Sequence, residues 1–397
     1  VGNDVSVEND GAIETNGERS CGIFAQSVGG GGGNGNVAVA VSIDPTIVTE
    51  LVSQSTLFSI AVGGSGGDGG NGGNVTVNNN GDITVSGKDS YGIFAQSAGG
   101  GGGTSSIGYS SPFWTAADLM YTVVLGGKSA SEGKCGIVAV NTDNGTITTS
   151  GFNNKAVFSQ SVNGGGGDLN MYLDISKDAA DLYQDIVHID EVRSVTGSMT
   201  ASFKGIFCLG SEDTHDSGGG SVNSSYSGSI VTGGDSSPGI FGQSVGGGGG
   251  DGTVRLIARN QADLLLKLNL GAKNGNDNPG GDVDIQRSGS ISTSGKNSNC
   301  VSVQSIGGGG GLLSVSVSRK NGGGSIGQHG TGNVSVEVGS IGGVRLDGGS
   351  VSLNMTGDLS TDEDPSMGIM AQSIGAGGGV LFLAGGSQVD VLLRGQK

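Results

Sequence analysis

Short runs in which apolar and polar residues alternate recur along the whole chain. Examples are VSVENDGAI from Val5, NVAVAVSI from Asn36 and VTVNNNGDI from Val75. Alternation of this kind is typical of β-strands that have one buried face. Asn-Gly, Asp-Gly and Ser-Gly pairs separate the runs and indicate turns. The pattern therefore predicts an all-β chain of many short strands.

One thirteen-residue motif occurs six times, with drift. CGIFAQSVGGGGG at 21–33 returns as YGIFAQSAGGGGG at 91–103, and further copies lie at 155–167, 238–250, 299–311 and 367–379. Each copy contains a glutamine followed by a serine, and the glutamines are Gln26, Gln96, Gln160, Gln243, Gln304 and Gln372. A second signature, close to V-x-V-x-x-x-G-x-I, precedes every copy. The chain is therefore built from six related units.

A unit of this kind cannot bury its own apolar face, whereas stacked units can. We therefore expect residues 1–397 to form a single repetitive β-solenoid, with parallel pairing between successive coils. If a three-sided coil takes about 20 to 25 residues, each unit holds two or three coils and the rod is about 65 to 80 Å long. The chain starts and stops inside repeat patterns, so we expect it to be a fragment of a longer chain or a mature product.

The glycine runs predict tight turns that lie against neighbouring backbone, because only glycine accepts a positive φ and lacks a Cβ. Two or three coils per unit would hold successive glutamines too far apart for a direct amide ladder. We therefore expect each glutamine to bond backbone groups exposed at the adjacent glycine turn, since buried polar groups need partners. The alternative is that the glutamines face solvent.

Composition narrows the class of protein. Glycine accounts for 85 residues and proline for only 5, which excludes collagen. The formal net charge of −17 argues against nucleic acid and anionic lipid as partners. No apolar stretch approaches the roughly 20 residues of a membrane span, so we expect no transmembrane segment, and we expect no signal peptide within the given sequence.

YGIFAQSAGGGGG, with VTVNNNGDITVSG upstream, resembles the glycine-rich repeats of Gram-negative autotransporter passenger domains, and the resemblance covers all six units. It implies a right-handed parallel β-helix, secretion through the outer membrane, and an extracellular or cell-surface location. We therefore expect a structural or adhesive surface rod. The alternative is a secreted passenger with enzymatic, polysaccharide-degrading or toxin activity. The resemblance transfers no catalytic residue.

Four segments interrupt the strand pattern and predict short helices or loops on one side of the rod. They start at Asp44, Ser111, Ser176 and Asn260, and the last could equally be a strand. Aromatic and aliphatic residues in two of them are candidate contact residues, namely Phe113, Trp114, Leu182, Tyr183 and Ile186. Expected partners are further copies of the chain, through end-to-end or lateral packing, and a host surface, a neighbouring cell or a glycan.

The sequence contains few groups of residues that are typical of metal-binding or catalytic sites. The four cysteines lack metal-ligand spacing; we expect them buried, and a disulfide bridge stays open. GGSGGDGGNGGNVTV at 63–77 is faintly similar to a calcium-binding turn, and SEDTHDS at 211–217 and STDEDPS at 360–366 are solvated loops or a loose calcium-type site. Catalytic motifs are missing, and acidic residues fall mostly in turns and insertions. We therefore expect no enzyme and no cofactor.

Overall fold

The computed structural model describes most of the six units. The described residues are 1–30, 33–40, 56–62, 70–101, 103–110, 119–125, 130–131, 133–175, 202–210, 213–215, 218–259, 263–271, 274–276, 278–320, 332–338, 347–375, 377–385 and 390–394. These residues form strands and turns, and none of them lies in a helix. The prediction of an all-β chain is confirmed for this part of the molecule.

Three sheets of six strands contain the repeated signatures. Sheet A holds the V-x-V strands, which are β1 (Val5–Asn9), β6 (Val75–Asn79), β12 (Val138–Thr142), β18 (Val222–Tyr226), β24 (Val283–Ser288) and β29 (Val351–Thr356). Sheet B follows the Gly turn and comprises β2 (Ile13–Thr15), β7 (Ile83–Val85), β13 (Thr146–Thr149), β19 (Ser229–Thr232), β25 (Ile291–Thr293) and β30 (Leu359–Thr361). Sheet C holds the glutamine motif in β3 (Ile23–Val28), β8 (Ile93–Ala98), β14 (Val157–Val162), β20 (Ile240–Val245), β26 (Val301–Ile306) and β31 (Ile369–Ile374).

Three further sheets follow the glycine runs. Sheet D comprises β4 (Gly33–Ala40), β9 (Gly103–Ser110), β15 (Gly166–Ile175), β21 (Gly249–Arg259), β27 (Gly310–Lys320) and β32 (Gly378–Gly385). Sheet E comprises β5 (Thr56–Val62), β10 (Leu119–Leu125), β16 (Ser202–Leu209), β22 (Asp263–Leu270), β28 (Gly332–Val338) and β33 (Asp390–Arg394). The smaller sheet F comprises β11 (Ala130–Ser131), β17 (Asp213–His215) and β23 (Asn274–Asn276).

Successive units pair in parallel and in register in every sheet. In sheet A, for example, Val5 lies opposite Val75, and Val75 lies opposite Val138. Each unit therefore adds one strand to a sheet, so the prediction of two or three coils per unit is wrong. Six layers at about 4.8 Å give a stack about 24 Å deep, and the predicted rod of 65 to 80 Å is wrong for the same reason. The error came from the assumed length of one coil.

An apolar core lies between sheets A, B and C. It consists of in-register columns of valine and isoleucine, such as Val75, Val138, Val222 and Val283 in sheet A. Stacking identical side chains in register lets each layer bury the β-branched face of the next. The V-x-V signature therefore supplies the first core of the stack.

Sheet C separates two apolar regions, because its inner strands are buried on both faces. In β8, Ile93 and Ala95 belong to the core shared with sheets A and B, whereas Phe94 and Ala98 belong to apolar clusters on the opposite face. Sheet D lies next to that opposite face. The repeated glutamine shares a face with the phenylalanine, because side chains alternate along a strand.

The predicted insertions lie partly outside the described residues. The segments at 44–55 and 176–187 fall there entirely, as does the start of the segment from Ser111. The rest of the segment from Ser111 lies in β10 (Leu119–Leu125), so a helix is wrong for that part. Asp263–Leu270 in the fourth segment forms β22, which confirms the strand alternative.

Candidate functional site

The six repeated glutamines form one hydrogen-bonded ladder through all six units. In each step Nε2 of one glutamine donates to Oε1 of the next at 2.6 to 3.0 Å, and the members in order are Gln26, Gln96, Gln160, Gln243, Gln304 and Gln372. The expectation that no direct ladder forms is wrong, because the units are one strand apart. The four inner glutamines are fully buried, so the solvent-facing alternative is wrong as well.

Two of the glutamines also bond the adjacent glycine turns, as predicted. Gln160 Nε2 reaches the Gly167 carbonyl oxygen at 3.3 Å, and Gln243 Nε2 reaches that of Gly250 at 3.4 Å. Gly250 has φ +129°, and a Cβ there would overlap the Gly167 carbonyl oxygen in the preceding unit. Glycine is therefore required both by the backbone angle and by the close approach of two units.

The serine after each glutamine connects two neighbouring units. Ser97 Oγ donates to the Gly73 carbonyl oxygen at 2.8 Å and accepts from the Gly136 amide at 2.8 Å. Gly73 precedes β6 in the same unit, whereas Gly136 precedes β12 in the next. The Gln-Ser pair thus satisfies polar groups on both sides of sheet C, which explains why both residues recur together.

An aromatic stack runs beside the glutamine ladder. Phe24, Phe94, Phe158 and Phe241 stack with centroid separations of 4.7, 4.8 and 5.3 Å and with nearly parallel rings. In the fifth unit the same register position is Ser302, so the stack stops there. A cavity of about 20 Å³ lies at this end, and its lining includes Lys155, Thr253, Asn299, Ser302, Leu312 and Phe382. Its volume suits a single water molecule.

A buried ion pair lies against this aromatic stack. Lys155 Nζ is 2.7 Å from Asp251 Oδ2, and the side chains of Lys155 and Asp251 are 2% and 0% exposed. The ammonium also donates to Asn153 Oδ1 at 3.0 Å and lies 4.8 Å from the centre of the Tyr91 ring. Removing two charges from water costs more than a pair regains unless further polar partners compensate. The Lys155–Asp251 pair is therefore unusual, because both of its charges are buried at this cost.

A second carboxylate, Asp168, lies beside the ion pair. It stands opposite Asp251 in the parallel register of β15 and β21. Tyr91 Oη donates to Asp168 Oδ2 at 3.0 Å, and Asn170 Nδ2 donates to the same oxygen at 2.8 Å. Burial raises the pKa of the Asp168 carboxyl to about 8, and the positive charge of Lys155 offsets only part of this effect. Asp168 therefore holds a proton at neutral pH.

Sequence reasoning missed this cluster, because its two acids belong to different units of the chain. Asp168 and Asp251 each follow a glycine run directly, and Lys155 occupies the first position of its motif copy. The same first position is Cys21, Tyr91 and Pro238 in other units, so comparison of the copies position by position would have shown the outlier. Only the register of sheet D brings the two acids together.

The predicted contact residues lie outside the described residues. These contact residues are Phe113, Trp114, Leu182, Tyr183 and Ile186. The first half of the calcium-like stretch, 63–69, lies outside as well. In STDEDPS, Asp362, Glu363 and Asp364 are exposed. Within the described part of the chain, no group of three or more His, Cys, Asp or Glu could hold a metal ion.

The four cysteines are free thiols in this structure. Cys300 is buried, as expected, whereas Cys21, Cys135 and Cys208 are partly exposed. Burial raises the pKa of the Cys21 thiol to about 11. Such a thiol stays protonated at neutral pH and is a poor nucleophile. As for membranes, none of the described residues lies in a helix long and apolar enough to cross a bilayer.

The chain matches no protein-family model, no curated protein and no solved structure. The resemblance to autotransporter passenger repeats therefore rests on the repeated motif alone.

Proposed function

We propose that this chain is a structural and adhesive rod on the surface of a Gram-negative bacterium, built as a right-handed parallel β-helix like an autotransporter passenger. The glutamine ladder is the observation that carries this proposal. Its five successive hydrogen bonds join all six units through one repeated side chain. A chain whose most repeated polar residues hold its units together is suited to resist mechanical force and to present binding loops at a cell surface.

The charge and the surface of the stack support the same role. A net charge of −17 favours the solubility of a protein displayed on a surface. The buried Asp168–Lys155–Asp251 cluster has side chains at most 2% exposed, so it offers no bound substrate a path to the acids. Recognition of a host cell, a neighbouring cell or a glycan would therefore fall to the sides of the rod, where the insertions from Asp44, Ser111 and Ser176 leave the strand pattern.

A binding assay on the purified chain tests this proposal against the enzymatic alternative. The chain would be applied to a glycan array and to cultured host cells, and the array supernatants would be assayed for new reducing ends. We expect retention on at least one surface without product release. New reducing ends at a rate that depends on the chain would instead identify a polysaccharide-degrading or toxin passenger. Failure to bind any surface would remove the adhesive part of the proposal.

A further inference from the structure

The Lys155–Asp251 pair has the geometry of two groups about to react. The amine nitrogen lies 2.7 Å from a carboxyl oxygen, and both side chains are almost completely buried. Among the described residues, neither oxygen of Asp251 accepts a hydrogen bond from any group other than the Lys155 ammonium. A buried carboxylate with a single donor is costly, and neutralisation relieves that cost. Holding two reacting groups this close removes a large part of the entropic barrier that a bimolecular step would face.

We propose that Lys155 and Asp251 condense to an intramolecular isopeptide bond, with Asp168 as the group that moves the protons. The proposal rests on the ion-pair distance, on the burial of both partners and on the position of Asp168. It goes beyond the proposed surface role and does not depend on it.

Asp168 is placed to act on this pair. It is the direct neighbour of Asp251 across β15 and β21. Its raised pKa of about 8, caused mainly by burial, keeps it protonated at neutral pH, and a proton donor must be protonated to act. Tyr91 and Asn170 fix its orientation through their hydrogen bonds. A general acid held in a dry pocket beside an amine and a carboxyl is the combination that amide formation requires.

The reaction balances without any further reagent. One proton passes from the Lys155 ammonium to the Asp251 carboxylate, which leaves an amine and a carboxylic acid. The lone pair of Nζ attacks Cγ of Asp251, and the new N–C bond forms as the C=O electrons move to oxygen. Asp168 protonates the departing hydroxyl, the C–O bond breaks and water leaves, and Asp168 regains a proton from the nitrogen. A secondary amide and one water replace the two charged groups.

The surroundings suit both the step and its product. The rings of Tyr91, Phe158 and Phe241 lie 4.8 to 5.9 Å from Nζ and exclude bulk solvent from the pair. The cavity of about 20 Å³ beside Lys155 has room for the water that is released. The bond would join the motif of the third unit to β21 of the fourth. It would thus close a chain segment from 155 to 251 across one interface of the stack.

Intact-mass measurement of the folded 1–397 chain tests the proposal. We expect a mass lower than the sequence mass by about 18 Da, one water, and a branched peptide that joins Lys155 to Asp251 after digestion. Asp251 is followed by Gly252, so a cyclic imide at that position would lose the same mass. Lys155→Arg separates the two, because it abolishes the isopeptide bond and leaves imide formation intact.

Two further variants probe the chemistry. Asp251→Asn should still cross-link, with loss of ammonia and a mass decrease of about 17 Da. Asp168→Asn keeps the reacting pair and should reduce the cross-linked fraction at least tenfold. Lys88→Arg is the control, because Lys88 lies in an exposed ion pair with Glu18, and it should cross-link fully. A full sequence mass in wild-type chain with a β-type circular dichroism spectrum, or a mass loss without the branched peptide, would overturn the proposal.

Discussion

Gln160 donates a 2.8 Å hydrogen bond from Nε2 to Oε1 of Gln243, its partner at the same position of the next unit. The two residues are opposite one another in the parallel register of β14 and β20. Each glutamine in the interior of the ladder is both donor and acceptor. Loss of one side chain therefore leaves a buried oxygen on one neighbour and a buried amide hydrogen on the other without a partner.

Gln160→Ala should lower the free energy of unfolding by about 3 kcal/mol, because it orphans two buried groups and leaves a void. Chemical denaturation monitored by circular dichroism measures this loss. Gln286→Ala is the matched control, since Gln286 is an exposed glutamine on β24, and its effect should stay within about 0.5 kcal/mol. Equal effects of the two substitutions would show that the ladder contributes nothing.

Gly250→Ala should destabilise the stack by more than about 3 kcal/mol, because its φ is positive and its Cβ would overlap a neighbouring carbonyl. Gly101→Val should act in the same direction, since Gly101 has φ +84°. Gly233→Ala is the control: a Cβ there would be 3.7 Å from its nearest neighbour. The thermal midpoint of each variant measures the effect. A Gly250→Ala midpoint as high as that of Gly233→Ala would mean that the glycine run is a linker.

The sequence predicted the strands and the six units, because alternation and repetition are local features of the chain. It did not predict the path within a unit. The number of coils followed from an assumed coil length, and this error alone removed the Gln26–Gln96 bond from consideration. The ionic cluster was hidden for another reason. Lys155 and Asp251 are separated by 96 positions, and only the in-register pairing of β15 with β21 reveals that Asp168 lies next to them.

In the Lys155→Arg variant, which cannot cross-link, the free energy of unfolding should fall as the pH rises from about 5 to 8. The cause is the titration of the Asp168 carboxyl. The unfolded chain releases this proton near pH 4, whereas the folded chain keeps it up to the raised pKa of about 8. In that window the unfolded state binds fewer protons, so the free energy of unfolding decreases with pH.

Urea midpoints between pH 5 and 9 provide the measurement. The double variant with Lys155→Arg and Asp168→Asn lacks the titrating group and should lose this part of the slope. Parallel pH profiles in the single and double variants would show that Asp168 titrates normally in the folded chain.

The two end layers of the stack should associate with further copies of the chain. The strands β3 and β31 each pair with only one neighbour among the described strands of sheet C, so in an isolated 1–397 chain they would present backbone edges that recruit other strands. Phe24 on β3 is 41% exposed and Ile369 on β31 is 48% exposed, which adds apolar surface at both ends. Ile369→Lys should therefore shift the chain from oligomers to monomers in light scattering after size exclusion. Val231→Lys is the matched control, because Val231 is 43% exposed but lies on β19, an inner strand of sheet B. This substitution should leave the oligomers intact.

Trp114→Ala tests whether copies associate laterally through the insertions. Loss of oligomers in that variant alone would assign association to the insertions instead of the ends. A wild-type chain that is monomeric at all concentrations would contradict both routes.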